Sequence, residues 1–264
     1  MKKRHLLYLI AIYLFSNCSP QKTPNFTNLV DLTHPFDENT IYWPNDTNKF
    51  LHPQNFYGET EKGYFYSSFG FSSPEHGGTH LDAPIHFAAN HLTIDEIPLK
   101  NLIGMGVKLD LRKEVMGNPD YQISIQDIKE WEKMNGEIPT GSIVLFETGW
   151  SDYYQDYAKY LGTSLKGEQA LADLHFPGIE PQTAQWLIEN RQISAAGLDT
   201  PSLDYGQSKY FESHQILLGN NIPGFENLTN LKEVPSKNFL VMALPMKIKG
   251  GSGGPLRIVT GVLN

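Results

Sequence analysis

The sequence predicts an α/β fold, formed by a single domain with a mixed sheet or a flattened β-barrel and with helices on the outside. Three observations support this fold class. Apolar runs typical of strands are interleaved with segments of helical pattern. The chain has 264 residues, 40% hydrophobic and 19% charged, which is enough for one sizeable core. From residue 29 onward, no repeat, linker or low-complexity tract divides it.

The N-terminal segment has the pattern of an export signal. Lys2, Lys3 and Arg4 precede an apolar run over 6–15 that is too short for a comfortable membrane span. Cys18, the only cysteine, follows in a sequence that resembles the lipobox of bacterial lipoproteins. We predict a signal peptide of lipoprotein type over 1–18, a polar tether over 19–28 and the folded domain over 29–264. The protein is then exported to the periplasm or anchored by a lipid on Cys18, and an ordinary signal peptide is the alternative.

Seven strands are predicted from apolar or alternating runs, at 29–32, 64–71, 106–111, 142–147, 193–198, 239–244 and 256–262. Helices are predicted over 124–134, 181–190 and 208–218. In the first helix, Ser124 as N-cap with Asp127 three residues later is close to a capping box. Pro181 suits the first position of the second helix, and Gly219 is a normal end for the third.

One eleven-residue segment concentrates metal-binding chemistry. His76, His80, Asp82 and His86 lie within it, and imidazole with carboxylate suits zinc, manganese or iron. Gly77 and Gly78 disfavour a helix and permit a tight turn. In an extended segment the four side chains share parity, so they could all point one way. The alternative is a polar loop with surface histidines.

Two further candidate ligands lie far along the chain from the segment 76–86. His214 is predicted on the apolar face of the third helix, which would carry Tyr210, Phe211, His214, Leu217 and Leu218. Glu226 lies between apolar neighbours, where an unpaired carboxylate would be costly to bury. A satisfied core histidine and a solvated loop carboxylate are the alternatives.

Several function classes are disfavoured. The net charge is -8 and the body of the chain has no Lys/Arg cluster, so we expect no nucleic-acid partner. The sequence contains no nucleophilic serine elbow, phosphate loop or dinucleotide fingerprint.

The segment 76–86 resembles the signature of the cyclase family of metal-dependent hydrolases, which includes bacterial kynurenine formamidases. Segments 197–202, 226–228 and 243–253 follow in the expected order, so the resemblance covers about 30–262. It implies a barrel-like α/β domain that forms dimers or tetramers. It also implies that His76, His80, Asp82, His214 and Glu226 bind one or two divalent ions, zinc foremost and manganese second. Asp82 would be able to bridge two ions, and His86 would transfer protons.

The resemblance implies hydrolysis of an amide C–N bond in a small, aromatic substrate. An arylformamidase converting N-formylkynurenine to kynurenine and formate is the leading hypothesis. Hydrolysis of a cyclic amide such as isatin, or of a lactone, is the second, and a binding protein without turnover is the third. The export signal weakens the arylformamidase hypothesis, because it would separate the enzyme from cytosolic tryptophan catabolism.

Further predictions concern the surroundings of the site. Asp199 could support it or could be a turn residue. Trp43 with Pro44, or Phe65 with Tyr66, could line an aromatic pocket, and packing in the core is the alternative for each. His175 is expected in a surface turn.

Overall fold

A closed barrel of seven strands forms the centre of the computed structural model, which describes residues 26–263. The strands are β1 Phe26–Asp31, β2 Gln54–Glu59, β3 Phe65–Phe69, β4 His80–Asp82, β5 Ile103–Asp110, β6 Gln122–Ile123, β7 Ile143–Glu147, β8 Gly178–Ile179, β9 Ala195–Leu198, β10 Gly224–Glu226, β11 Phe239–Pro245 and β12 Gly253–Leu263. The helices are α1 Leu99–Leu102, α2 Arg112–Val115, α3 Ile125–Asn135, α4 Tyr157–Leu161, α5 Pro181–Arg191 and α6 Glu212–Gly219. The barrel order is β12-β11-β5-β7-β9-β10-β4, and β4 pairs again with β12 to close the ring. The predicted fold class is therefore confirmed. Of the two forms predicted, a mixed sheet and a flattened β-barrel, the structure has the barrel.

Parallel and antiparallel strands occupy different parts of the ring. Strands β5, β7, β9 and β10 run parallel to one another, and β4, β12 and β11 close the barrel in antiparallel pairs. Four short 3-10 helices lie in the connections, at Pro84–His86, Trp150–Tyr153, Glu168–Asp173 and Leu231–Glu233.

Alternation along the strands builds two cores, one on each side of the barrel wall. On β7, Ile143 and Leu145 point into the barrel, whereas Val144 and Phe146 pack outward against the helices. The inner core also contains Phe239 of β11. Because β7 is buried on both faces, it reads as one continuous apolar run, which is why its position was predicted correctly.

Two of the three predicted helices are confirmed with their end signals. Ser124 caps α3 through a complete capping box with Asp127, and Pro181 occupies the first turn of α5. The third helix was predicted to begin at Ser208, which is wrong. It begins at Glu212, because Phe211 has a left-handed φ of 53° and cannot be helical. Tyr210 precedes the helix and is exposed rather than part of its apolar face.

Strand β1 begins at Phe26, inside the segment expected to be a tether, because it pairs along the C-terminal half of β12. The predicted signal peptide and the rest of the tether lie outside the described residues. The helices of residues 26–263 are all too short or too polar to cross a bilayer. The predicted strand 64–71 exists as β3, but it pairs with β2 in a hairpin separate from the barrel.

Candidate metal centre

Strand alternation places three polar side chains on the outer face of the barrel. On β4, Leu81 points into the inner core, so His80 and Asp82 point outward. On the neighbouring β10, Glu226 pairs directly with His80 in the antiparallel register, and cross-strand partners share a face. His80 Nε2 lies 3.4 Å from the Glu226 carboxylate and 3.2 Å from that of Asp82.

The glycine turn before β4 brings His76 to the same place. Gly77 and Gly78 both have positive φ, 143° and 56°, and a Cβ on Gly77 would lie 2.1 Å from the Tyr42 ring. The tight turn that the two glycines were predicted to permit is therefore present, and at Gly77 the absence of a side chain makes room for the Tyr42 ring. His76 Nδ1 lies 2.7 Å from Asp82 Oδ1, and its Nε2 lies 2.9 Å from the Ser252 hydroxyl.

Helix α6 supplies the remaining imidazole. His214 is buried, as predicted from the apolar pattern, and its Nε2 lies 3.0 Å from Glu226 and 3.2 Å from Asp82 Oδ2. On its other side Nδ1 lies 2.6 Å from Asp204, which also accepts hydrogen bonds from the backbone N–H groups of Ser213 and His214. Asp204 thereby fixes the orientation of the His214 ring.

These side chains form two groups of three, each able to hold a metal ion. One group is His76, His80 and Asp82, and the other is Asp82, His214 and Glu226, with the ligand atoms of each group within 4.8 Å of one another. Asp82 belongs to both, because Oδ1 faces His76 and His80 while Oδ2 faces His214. One carboxylate thus joins two potential cation sites.

The electrostatics of the cluster fit a bound cation. Desolvation opposes protonation of His80, but the carboxylates of Asp82 and Glu226 outweigh it and raise its pKa to about 9. Burial raises the pKa of Glu226, and the charge of Asp82 adds to this. Buried carboxylates this close demand positive charge, and imidazole with carboxylate is a donor set that suits zinc or manganese. His80 Nδ1–H donates to the Gly78 carbonyl at 3.0 Å, which leaves Nε2 facing the cluster.

His86 stands beside the cluster on different backbone. Residues 84–86 form a 3-10 helix, so the segment 76–86 is not extended throughout, and shared parity does not account for where His86 points. Its ring stacks on that of His76 with 3.7 Å between centroids. His86 lines the pocket, and desolvation of its ring lowers its pKa to about 4. The ring is therefore neutral at neutral pH.

A cavity of about 270 Å³ opens directly over the cluster. The apolar part of its lining is largely aromatic and consists of Ile41, Tyr42, Trp43, Phe87 and Phe211. Trp43 therefore lines the pocket, as predicted, whereas Pro44, which was predicted with it, is not among the lining residues. Phe65 and Tyr66 lie in the exposed hairpin and do not line it. Such a pocket suits a small, flat, apolar molecule with one polar end.

Sequence reasoning missed the residues that orient the cluster. Asp204 and Asn227 are ordinary polar residues in a sequence, and only the fold brings them to His214 and Gly78. Asp199 links the ends of β9 and β7, since it directly follows β9 and its carboxylate accepts hydrogen bonds from Thr148 and Gly149, just after β7. His175 pairs with Asp120, outside the residues that line the pocket, as expected for a surface turn.

A closed mixed barrel that carries two joined carboxylate–imidazole groups beneath an aromatic pocket defines a metal-dependent hydrolase. Comparison with known proteins gives the family: the putative cyclase family matches residues 30–205, and the chain belongs to it. The match contains His76, His80 and Asp82 but ends before His214 and Glu226, which the fold alone joins to them.

Characterised relatives are hydrolases. The chain is 31% identical over 191 residues to isatin hydrolase of Roseibium aggregatum, covering 69% of this chain and 70% of that protein. It is 27% identical to kynurenine formamidase of Salinibacter ruber, covering 88% and 96%. Among solved structures, isatin hydrolase A from Labrenzia aggregata bound to benzyl benzoate superposes with a TM-score of 0.80 at 32% identity, covering 90% and 94%.

Proposed function

We propose that this protein hydrolyses the C–N bond of a small amide whose nitrogen is attached to an aromatic ring. One observation carries the proposal: the two metal-binding groups that share Asp82 form the polar end of an otherwise aromatic pocket. A flat aryl group would pack against Trp43 and Phe211, which would leave the amide carbonyl beside the cluster.

We propose His76, His80, Asp82, His214 and Glu226 as the residues that hold the metal. When bound, zinc or manganese would supply Lewis-acid activation of water and of the carbonyl group. Asp204 holds His214 in place through Nδ1, and the Gly78 carbonyl holds His80 through its Nδ1, so both rings are oriented before substrate arrives. His86, neutral and open to the pocket, accepts a proton and passes it to the departing aryl amine.

Two substrate types share this chemistry. N-Formylkynurenine carries an open formamide on an aromatic ring, and isatin carries the same kind of bond closed into a ring. The kynurenine formamidase relatives, similar over most of their length, support the first. The higher identity to isatin hydrolases supports the second, as does the likeness to such an enzyme bound to the product analogue thioisatinate. Each would place its ring against the same aromatic wall.

The deciding experiment is turnover of the purified protein loaded with zinc or manganese. Formyl-anilides, isatin and a simple aliphatic amide are offered in parallel, and Glu226→Gln serves as the matched variant. We expect hydrolysis of at least one aryl amide, little of the aliphatic amide, and reduced metal content and turnover in Glu226→Gln. Binding of aryl amides without any turnover would favour a binding protein.

We further propose that the protein is exported, carries a lipid on Cys18 and assembles as a homodimer or homotetramer. The charged and apolar pattern before Cys18 supports the first two. Mass spectrometry of the mature N-terminus in the native host tests them, and an intact Met1 on a cytosolic protein would contradict both.

A further inference from the structure

Two half-buried residues, Ser252 and Glu75, form a hydrogen-bonded chain that ends on the ring of His76. His76 Nε2 lies 2.9 Å from the Ser252 hydroxyl oxygen, and this hydroxyl donates to Glu75 Oε2 at 2.7 Å. The backbone N–H of Ser252 donates to the same carboxylate oxygen at 2.8 Å. Both residues lie outside the two metal-binding groups and outside the lining of the cavity. Their route to the metal centre is therefore the ring of His76.

The direction of these hydrogen bonds determines which nitrogen of neutral His76 carries the proton. A serine hydroxyl has a single hydrogen, and a carboxylate can only accept. Because the Ser252 hydroxyl gives its hydrogen to Glu75, it can bond to His76 only as an acceptor. His76 Nε2 must then be the donor, which leaves Nδ1 of the neutral ring without a hydrogen.

This bare Nδ1 atom faces Asp82. It lies 2.7 Å from Asp82 Oδ1, a distance at which two hydrogen-bond acceptors repel each other. A positive charge between them, a proton or a metal ion, replaces the repulsion by attraction, and both atoms are of the kind that bind zinc. The hydrogen bonds of Nε2 therefore favour a cation on the other side of the ring.

His76 is held in the opposite sense to the other two imidazoles of the centre. His80 and His214 each turn Nε2 towards the carboxylates, and their Nδ1 atoms bond to partners behind the ring. His76 turns Nδ1 towards the carboxylates, and its Nε2 bonds to Ser252. All three rings thus have one nitrogen occupied and one left for a metal ion, as ligating histidines generally do.

Ser252 reaches His76 because the loop before β12 has no other side chain there. Ser252 is the only residue of 250–254 that is not a glycine. A Cβ on Gly253 would lie 2.5 Å from His76 Cε1, so a side chain at this position would displace the ring. The Ser252 carbonyl accepts a hydrogen bond of 2.9 Å from the backbone N–H of Ala83, which fastens the loop to the end of β4. The loop is therefore shaped to bring one hydroxyl to this imidazole.

We propose that Glu75 and Ser252 are positioning residues that hold His76 in the tautomer with a bare Nδ1 and thereby raise the metal affinity of the group His76, His80 and Asp82. The proposal rests on the ligand set of the proposed function. Without the Glu75 carboxylate, the Ser252 hydroxyl is free to turn and donate to Nε2. The ring proton would then move to Nδ1 and donate to Asp82, a pair that is satisfied without a metal. An incoming cation would have to displace that proton.

Nitrogen NMR of the imidazoles in the metal-free protein tests the tautomer directly. The neutral form of His76 should carry its proton on Nε2 in the wild type and on Nδ1 in Glu75→Ala. Glu75→Gln keeps an oxygen that accepts from Ser252 and should restore the wild-type tautomer. A wild type whose neutral His76 carries the proton on Nδ1 overturns the proposal, and this measurement depends on no variant.

Chelator competition for zinc tests the effect on the metal. Ser252→Ala and Glu75→Ala should each bind zinc about 10–100-fold more weakly than the wild type. Asp95→Ala is the matched control, because Asp95 accepts from the Gly250 N–H and so fastens the same loop at a point away from His76. It should keep the wild-type affinity. Unchanged affinity in the first two variants, or an equal loss in Asp95→Ala, overturns the proposal.

The proposed function can fail separately from this inference. A protein with the expected tautomers and zinc affinities that hydrolyses no aryl amide contradicts the proposed function and supports the positioning roles of Glu75 and Ser252. A protein that hydrolyses aryl amides and whose His76 tautomer does not respond to Glu75→Ala keeps the proposed function and overturns the positioning roles.

Discussion

The side-chain amide of Asn227 donates a hydrogen bond of 2.8 Å to the Gly78 carbonyl, which also accepts from His80 Nδ1. The Gly78 carbonyl is thus held by Asn227, at the end of β10, and it in turn orients the imidazole of His80 on β4. The Asn227 side-chain oxygen accepts from the Tyr160 hydroxyl at 2.8 Å, so its own orientation is fixed. Asn227 is therefore a positioning residue for His80.

Asn227→Asp should weaken metal binding by about 10–100-fold, the usual effect of losing a partner that orients a ligand. The new carboxylate would repel the Gly78 carbonyl and release the turn that orients His80. Chelator competition measures the affinity, and thermal unfolding of the metal-free protein separates this effect from general destabilisation. Tyr160→Phe is the control with a smaller loss, because the bond from Asn227 to Gly78 survives. An unchanged affinity in Asn227→Asp would remove Asn227 from this role.

Metal binding and proton transfer should separate between His80 and His86. His80→Ala should lose metal and activity together. His86→Ala should keep the metal and lose about 10²–10⁴-fold in turnover. The loss should be smaller for an activated ester, whose leaving group needs little protonation. Metal content and turnover on both substrates decide the matter. If His86→Ala loses metal as readily as His80→Ala, then His86 is a ligand.

Metal affinity should rise with pH. The neighbouring carboxylates raise the pKa of His80 to about 9, so below that pH an incoming cation must displace a proton from this ring. Lower pH favours the protonated, metal-free cluster, so metal affinity falls as the pH falls. Each displaced proton changes the affinity about tenfold per pH unit between about pH 6 and about pH 8. Chelator competition across this range gives the slope, and a flat profile would contradict the expectation.

The buried ion pair of Lys108 and Glu147 should matter more to stability than any surface pair. Lys108 is 5% exposed and Glu147 2%, and the lysine also donates to the Leu231 carbonyl. Lys108→Met should lower the free energy of unfolding by about 3 kcal/mol, since it leaves a buried carboxylate without its main partner. Lys108→Met/Glu147→Leu should recover most of that loss in urea unfolding. A double variant as unstable as the single would show that packing, and not charge, dominates.

Sequence patterns predicted the parts of the fold that have local signals. The capping box at Ser124 and the apolar run of β7 each depend on neighbouring residues, and both are where they were expected. Strands β4 and β10 were not predicted, because three residues are too few to show a period. The start of α6 was misplaced because the left-handed conformation of Phe211 has no signal in a non-glycine residue.

The candidate site divides in the same way. His76, His80 and Asp82 could be identified because they are close in sequence and separated by glycines. His214 and Glu226 could be named as candidates from their apolar surroundings, but only the resemblance to a family joined them to the segment 76–86. Asp204 and Asn227 could not be identified, because their roles depend on hydrogen bonds to residues distant in the chain.

The strand that closes the barrel, β4, is three residues long and pairs with β10 on one side and β12 on the other. All of these contacts join segments far apart in the chain, so the ring closes against a large loss of chain entropy. The same strand carries His80 and Asp82, and their companions lie on β10 and α6. A cation held among them would tie the seam of the barrel together. Closure of the barrel and assembly of the site are then coupled, and removal of the metal should increase amide exchange at this seam first.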